Sequence, residues 1–150
     1  MIGPGTGIAP MRALLQEREE QGNKRNASST NILYFGCQSI KKDYIYREEL
    51  ESFQQRKILT QLELAFSRDQ REKVYVQHLL QRQEDATSLV ANLDQGAYVY
   101  VCGATNMGND VMEAIVTILQ QKKTISKSEA ENYLKRMQNN GRYVQELWTA

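Results

Sequence analysis

The chain has 150 residues, the size of one domain, with 41% apolar and 25% charged residues and nineteen basic side chains against eighteen acidic ones, a formal charge of +1. That balance excludes a general electrostatic attraction to nucleic acid or anionic lipid, and no apolar run approaches the roughly 20 residues of a membrane-spanning helix, so any anion site is local and no direct membrane contact is expected from this domain. One histidine, His78, and two cysteines, Cys37 and Cys102, leave too few ligands for a multi-histidine metal site and no Ser-His-Asp set, so no metal residues are expected.

From the N-terminus, a glycine-rich turn, Gly3-Pro4-Gly5-Thr6-Gly7, leads into a predicted helix over Ala9–Gln21. Such a turn normally follows a buried strand. Met1 and Ile2 read as the last residues of that strand, so the natural polypeptide is expected to continue upstream. The polar stretch Gln21–Thr30, with Gly22, Asn23 and Asn26, reads as a loop. A strand follows over Asn31–Phe35, then a helix over Tyr46–Gln55 and a strand over Leu62–Phe66. Two helices, Val76–Gln83 and Ala86–Leu93, precede a strand over Tyr98–Cys102 and a helix over Gly108–Gln121. The last helix, Lys127–Asn139, starts after Ser126 with Glu129 in capping-box position, and a short strand lies near Arg142–Leu147. Alternating strands and helices predict an α/β domain with a parallel sheet. Cys37 and Cys102 lie beside strand ends and read as reduced thiols, which fits a cytoplasmic setting.

Three stretches carry chemistry. Closely spaced glycines admit positive φ and let a ligand approach the backbone, while the helix behind them aims free N–H groups at an anion, a combination suited to pyrophosphate. The turn lacks the Gly-Lys-Ser/Thr of nucleoside triphosphatases and departs from Gly-x-Gly-x-x-Gly, and alone it is as readily structural. After the strand Leu62–Phe66 comes Ser67-Arg68-Asp69-Gln70-Arg71-Glu72-Lys73-Val74-Tyr75-Val76-Gln77. A hydroxyl, a guanidinium, an ammonium and a phenol at the carboxyl end of a parallel strand suit a dianionic phosphate, although alone the stretch reads as a solvated charged loop. The run Tyr98–Cys102 continues through Gly103-Ala104-Thr105-Asn106-Met107-Gly108, where a lone cysteine is more often packing than chemistry.

Together and in this order these segments resemble the NADPH-binding domain of the ferredoxin–NADP reductase superfamily, and most closely its diflavin branch. The resemblance rests on Gly3–Pro10, Phe35-Gly36-Cys37, Asp43–Leu50, Ala65–Arg68, Lys73–His78, Tyr100–Gly103 and Gly141-Arg142-Tyr143 followed by Trp148, which span nearly the whole chain. It implies a Rossmann-like NADP-binding domain whose parallel sheet has helices on both faces. In the implied enzyme NADPH gives hydride to FAD, electrons pass on through FMN, and an acceptor protein such as a cytochrome P-450 receives them. The FAD- and FMN-binding domains are expected upstream of residues 1–150. Localisation is expected to be cytoplasmic, or on the cytosolic face of a membrane if an upstream anchor exists.

Residue by residue, the resemblance implies that Thr6 and the turn Gly3, Pro4, Gly5 and Gly7 contact the pyrophosphate. Ser67, Arg68, Lys73 and Tyr75 match the group that holds the 2′-phosphate, and Gln77 a contact near the adenosine. Cys102, followed by Gly103 and Met107, matches the residue beside the nicotinamide C4. Glu146 stands where the branch has an acidic residue completing this polar cluster, and Trp148 matches the aromatic that stacks on the flavin. Ala104 replaces a usual aspartate, Gln38 replaces an arginine, the turn to Met107 is one residue shorter than in cytochrome P-450 reductase, and Thr149 and Ala150 extend past the tryptophan. Two alternatives stay open: the NADP domain of a single-flavin ferredoxin or flavodoxin reductase, and a noncatalytic dinucleotide-binding module, which would have no need of Cys102, Glu146 and Trp148 together.

Overall fold

The structure, a computed structural model, describes residues 1–22 and 29–149. Residues 23–28 of the expected loop, with Asn23 and Asn26, lie outside the described residues, as does Ala150. The chain divides into two compact units, Met1–Tyr75 and Val76–Ala150.

In the first unit a single 3-10 turn, Gly5–Gly7, runs directly into helix α1 (Ile8–Gln21), followed by strand β1 (Ile32–Cys37), helix α2 (Arg47–Gln55) and strand β2 (Gln61–Phe66). β1 and β2 pair in parallel from Ile32 opposite Gln61 to Cys37 opposite Phe66. Met1–Gly3 joins β1 as a further parallel segment: Ile2 bridges Tyr34, Tyr34 N donates to Met1 O at 2.9 Å, and Gly3 N donates to Tyr34 O at 3.0 Å. The residues read as the end of a strand therefore do pair as one. Ile8, Met11 and Leu15 recur at helical spacing on α1 and are buried, as are Leu33 and Phe35 of β1 and Leu50 and Phe53 of α2. Pro10 sits in the first turn of α1, where its missing N–H leaves no intrahelical bond unmade.

The start of β1–β2 is set by a buried side chain. Asn31, only 5% exposed, donates from Nδ2 to Ile58 O at 3.1 Å and accepts at its carbonyl from Thr60 N at 2.8 Å. Its own N–H donates to Thr60 Oγ1 at 2.7 Å. A buried amide so satisfied fixes where the two strands begin to pair.

The second unit contains helices α3 (Val76–Leu80) and α4 (Gln83–Asp94), strand β3 (Val99–Ala104), helices α5 (Thr105–Lys123) and α6 (Lys127–Asn139), and strand β4 (Tyr143–Trp148). β3 and β4 pair in parallel from Val99 opposite Tyr143 to Ala104 opposite Trp148. Val111, Ile115, Ile118 and Leu119 of α5 and Ala130, Leu134 and Met137 of α6 form the core with Val99, Val101 and Tyr143. The capping box at α6 is present: Glu129 N donates to Ser126 Oγ at 3.2 Å, and Ser126 N donates to Glu129 Oε2 at 2.8 Å. Arg142 ties the entry of β4 to the end of α4, its Nη2 donating to Leu93 O at 2.8 Å and Ala97 O at 3.0 Å.

The parallel α/β reading holds, with several boundaries corrected, among them β3, which runs on past Cys102 to Ala104. β1 runs on through Gly36 and Cys37. The helix expected over Val76–Gln83 stops at Leu80, because Arg82 is extended (φ −61°, ψ 145°) and starts α4 three residues before the expected Ala86. α5 begins at Thr105 rather than Gly108, so the expected turn to Met107 is the first turn of a helix. Gly108 punctuates nothing there; a Cβ on it would lie 2.5 Å from Leu147 Cδ1, so its missing side chain lets α5 approach β4.

Candidate functional site

In the N-terminal unit the glycine turn is made of backbone. Gly3 is buried, and a Cβ there would stand 2.4 Å from Gly7 O, so the two ends of the turn touch. Gly5 has φ +57°, the left-handed region that costs an L side chain about 1 kcal/mol or more, and its outer side is open. Gly7 N donates to Pro4 O at 3.0 Å, closing the turn. Gly5 and Thr6 are exposed, and α1 starts at Gly7 with no side-chain cap and no acidic residue in its first turn. Gly7 N and Ile8 N are bonded within the turn, to Pro4 O and to Gly5 O and Thr6 O, so the part of the turn open to an external acceptor is at Gly5 and Thr6.

At the carboxyl end of β2 the chain stays tied to the end of β1: Ser67 N donates to Cys37 O at 2.9 Å and Arg68 N to Gln38 O at 2.8 Å. Gln70 braces the loop from inside, its Nε2 donating to Phe66 O and, at 2.8 Å, to Glu72 O. Ser67 is half-buried, whereas Arg68, Lys73 and Tyr75 are exposed, Tyr75 by 41%. Among the described residues neither Arg68 nor Lys73 forms an ion pair. The nearby carboxylates are engaged elsewhere. Asp43 accepts from Gln38 N at 2.8 Å and Ser39 N at 2.7 Å, and Asp69 accepts from Ile40 N at 2.8 Å. These N–H groups hold both carboxyls below the usual carboxylate range. Cys37 faces the opposite pressure, burial above all and then the charges of Asp43 and Asp69 pushing its thiol up to about 11. It is inert at neutral pH.

In the C-terminal unit the site is made of register. Cys102 pairs with Glu146, Gly103 with Leu147 and Ala104 with Trp148, and paired residues of parallel strands share a face. Cys102, Ala104, Glu146 and Trp148 therefore lie together on the face opposite buried Val101 and Tyr143. Cys102 is 4% exposed, and burial first and the Glu146 charge second raise its pKa, so it is a neutral thiol at physiological pH. Trp148 is 40% exposed; its carbonyl accepts from Thr105 Oγ1 at 3.0 Å, so its backbone is fastened while its side chain is only partly covered. Met107 is half-buried in the first turn of α5. Gln77, at the start of α3, donates to Asp110 Oδ2 at 3.4 Å, and its buried Oε1 has no hydrogen-bond partner among the described residues. A buried acceptor so left is suited to a ligand donor.

Two features were not singled out from the sequence. Asp43 and Asp69 hold the loop behind Arg68, accepting from the amides of Gln38, Ser39 and Ile40. Tyr98 and Tyr100, stacked at 6.4 Å with planes 12° apart, extend the Cys102 face, where Tyr98 is 58% and Val144 42% exposed. Two-residue alternation along the predicted strand was the signal for these.

Residues 1–113 match the family model described as the oxidoreductase NAD-binding domain. The chain belongs to that family. This NAD-binding domain is 43% identical over 150 residues to the NADPH–cytochrome P-450 reductase of Musca domestica, covering 99% of the chain and 22% of the relative. The human protein of the same name is 41% identical over 150 residues and the pig protein 40% over 153, with the same coverage of both chains. The domain thus spans 22% of the length of these relatives.

Proposed function

We propose that this chain is the NADP(H)-binding domain of an NADPH-dependent flavoprotein reductase, in which FAD- and FMN-binding domains precede residues 1–150 and an acceptor protein such as a cytochrome P-450 receives the electrons. The observation that carries the reading is the loop Ser67–Tyr75, whose cations Arg68 and Lys73 have no ion-pair partner among the described residues while Asp43 and Asp69 are bound to backbone amides. Two cations without an ion-pair partner among the described residues, beside a hydroxyl and a phenol, fit a dianionic 2′-phosphate, and the open glycine turn before a helix without a side-chain cap fits the pyrophosphate.

In this reading Thr6 and the glycine turn, exposed at Gly5 and Thr6, bind the pyrophosphate, and Ser67, Arg68, Lys73 and Tyr75 bind the 2′-phosphate. Gln77 offers its unpartnered Oε1 near the adenosine. Cys102 presents a neutral S–H that packs against and orients the nicotinamide without competing as a nucleophile. Glu146, its register partner, supplies the acidic group of that cluster, and the exposed Trp148 ring stacks over the flavin and moves aside when nicotinamide enters. Bound NADPH supplies a hydride and FAD the ring that accepts it. The two free thiols suit the cytoplasm, or the cytosolic face of a membrane.

Isothermal titration of an Arg68→Ala variant tests this. Its affinity for 2′,5′-ADP falls by about ten- to a hundredfold, the worth of one charge-assisted hydrogen bond, while the weaker binding of 5′-AMP is nearly unchanged. Equal affinity of the variant and the parent for 2′,5′-ADP contradicts the assignment.

A further inference from the structure

We propose that Asp69 is a positioning residue that sets the specificity of the 2′-phosphate site by clasping the segment 38–43 to the loop that carries Arg68. The inference rests on the reading of Ser67–Tyr75 as the 2′-phosphate loop. Asp69 follows Arg68 directly, and its Oδ2 accepts from Ile40 N at 2.8 Å. The Arg68 N–H donates to Gln38 O at 2.8 Å, and the Gln38 and Ser39 amides are in turn held by Asp43 at 2.8 and 2.7 Å. The result is a loop closed by Arg68 N to Gln38 O and Ile40 N to Asp69 Oδ2, with Asp43 bracing the Gln38 and Ser39 amides beside it. Its members come from two segments separated by 29 residues in sequence. Removing any one of them lets the backbone at Arg68 shift, and a guanidinium must keep its donors in a fixed fork to grip a phosphate.

The clasp serves charge as well as geometry. Asp43 accepts from two main-chain N–H groups and Asp69 from Ile40 N and the Ser39 side chain, and among the described residues neither forms an ion pair with Arg68, which feels the Asp43 charge. Lys41 and Lys42 are brought close enough for their charges to act on Asp69, so the clasped segment adds two cations to the same end of β1–β2.

Simple electrostatics predicts the opposite of the clasp. Deleting an anion next to Arg68 raises the local positive potential and tightens a dianion. The clasp instead predicts that Asp69→Ala weakens 2′,5′-ADP binding by roughly three- to tenfold. Asp69→Asn, which loses the same charge but keeps an oxygen acceptor for Ile40 N, remains within about twofold of the parent chain. Neither variant changes 5′-AMP binding. Titration of the chain and both variants with the two nucleotides reads all of this, and Asp43→Ala, expected to weaken 2′,5′-ADP in the same direction, replaces Asp69→Ala if that variant does not fold. The proposal is overturned if Asp69→Ala binds 2′,5′-ADP as tightly as the parent chain or more tightly, if both Asp69 variants shift equally, or if both nucleotides weaken together. A parent chain without preference for 2′,5′-ADP refutes the loop assignment itself, a result distinct from a selective parent chain that Asp69→Ala leaves unaltered.

Discussion

The two units present different materials to a ligand. The N-terminal unit offers backbone and net charge: a turn in which Gly3 and Gly7 touch, a helix start without a side-chain cap, and cations whose neighbouring carboxylates are bound to main-chain amides. The C-terminal unit offers side chains placed by strand register, a buried thiol opposite a carboxylate and a half-covered indole. Backbone sites tolerate little change in shape, because the atoms that bind also close the turn. Register sites tolerate side-chain replacement, because the ladder that places them is made by main-chain groups. Selectivity for the nucleotide and reactivity of its nicotinamide should therefore fail separately.

The largest effect is expected at Gly3. An alanine there puts its methyl against the Gly7 carbonyl, and the variant should lose about 3 kcal/mol in urea unfolding. Gly5→Ala, with open space but φ +57°, should lose only about 1 kcal/mol. Comparable losses at the two positions would mean that φ, not contact, defines the turn. Next comes Cys102→Ala in the full-length protein. Stopped-flow reduction of the flavin by NADPH should slow by about tenfold, equivalent to about 1.4 kcal/mol of barrier, with 2′,5′-ADP affinity unaltered. Equal losses in both would assign Cys102 to packing and erase the division between the units.

Ser126→Ala, away from either site, should cost about 1 kcal/mol of stability through the lost cap. Glu129 is held below its ordinary 4.5 by the Ser126 N–H and hydroxyl, so its contribution is present above that pH and is lost as pH falls through the lowered value. The stability gap between parent chain and variant should therefore narrow in acid, which thermal unfolding at pH 6 and about pH 3 would show. Trp148→Ala has the smallest expected effect, within about 0.5 kcal/mol of the parent stability, because its ring is 40% exposed. A large loss would make Trp148 a packing residue and remove it from the flavin reading.

What could be read from the sequence was what neighbouring residues determine. The glycine turn, the helix that follows it and the Ser126–Glu129 box are short-range patterns, and each is present. Gly108 misled because a glycine that admits a packing partner looks the same, in sequence, as one that closes a turn before a helix; Leu147 across the β4 contact decides between them. The facing of Cys102 and Glu146 depends on parallel register between strands far apart in the chain, which no local signal encodes. The Asp69 clasp likewise depends on a bond to Ile40, 29 residues away.

The central claim is that the charged loop after β2 is a phosphate site and not a solvated surface. Side-by-side isothermal titration of the unmodified chain with 2′,5′-ADP and 5′-AMP tests it most directly, since the two ligands differ only in the 2′-phosphate. With at least two of Ser67, Arg68, Lys73 and Tyr75 bonding that group, 2′,5′-ADP should bind about a hundredfold more tightly or better; equal affinities for the two nucleotides would contradict the account.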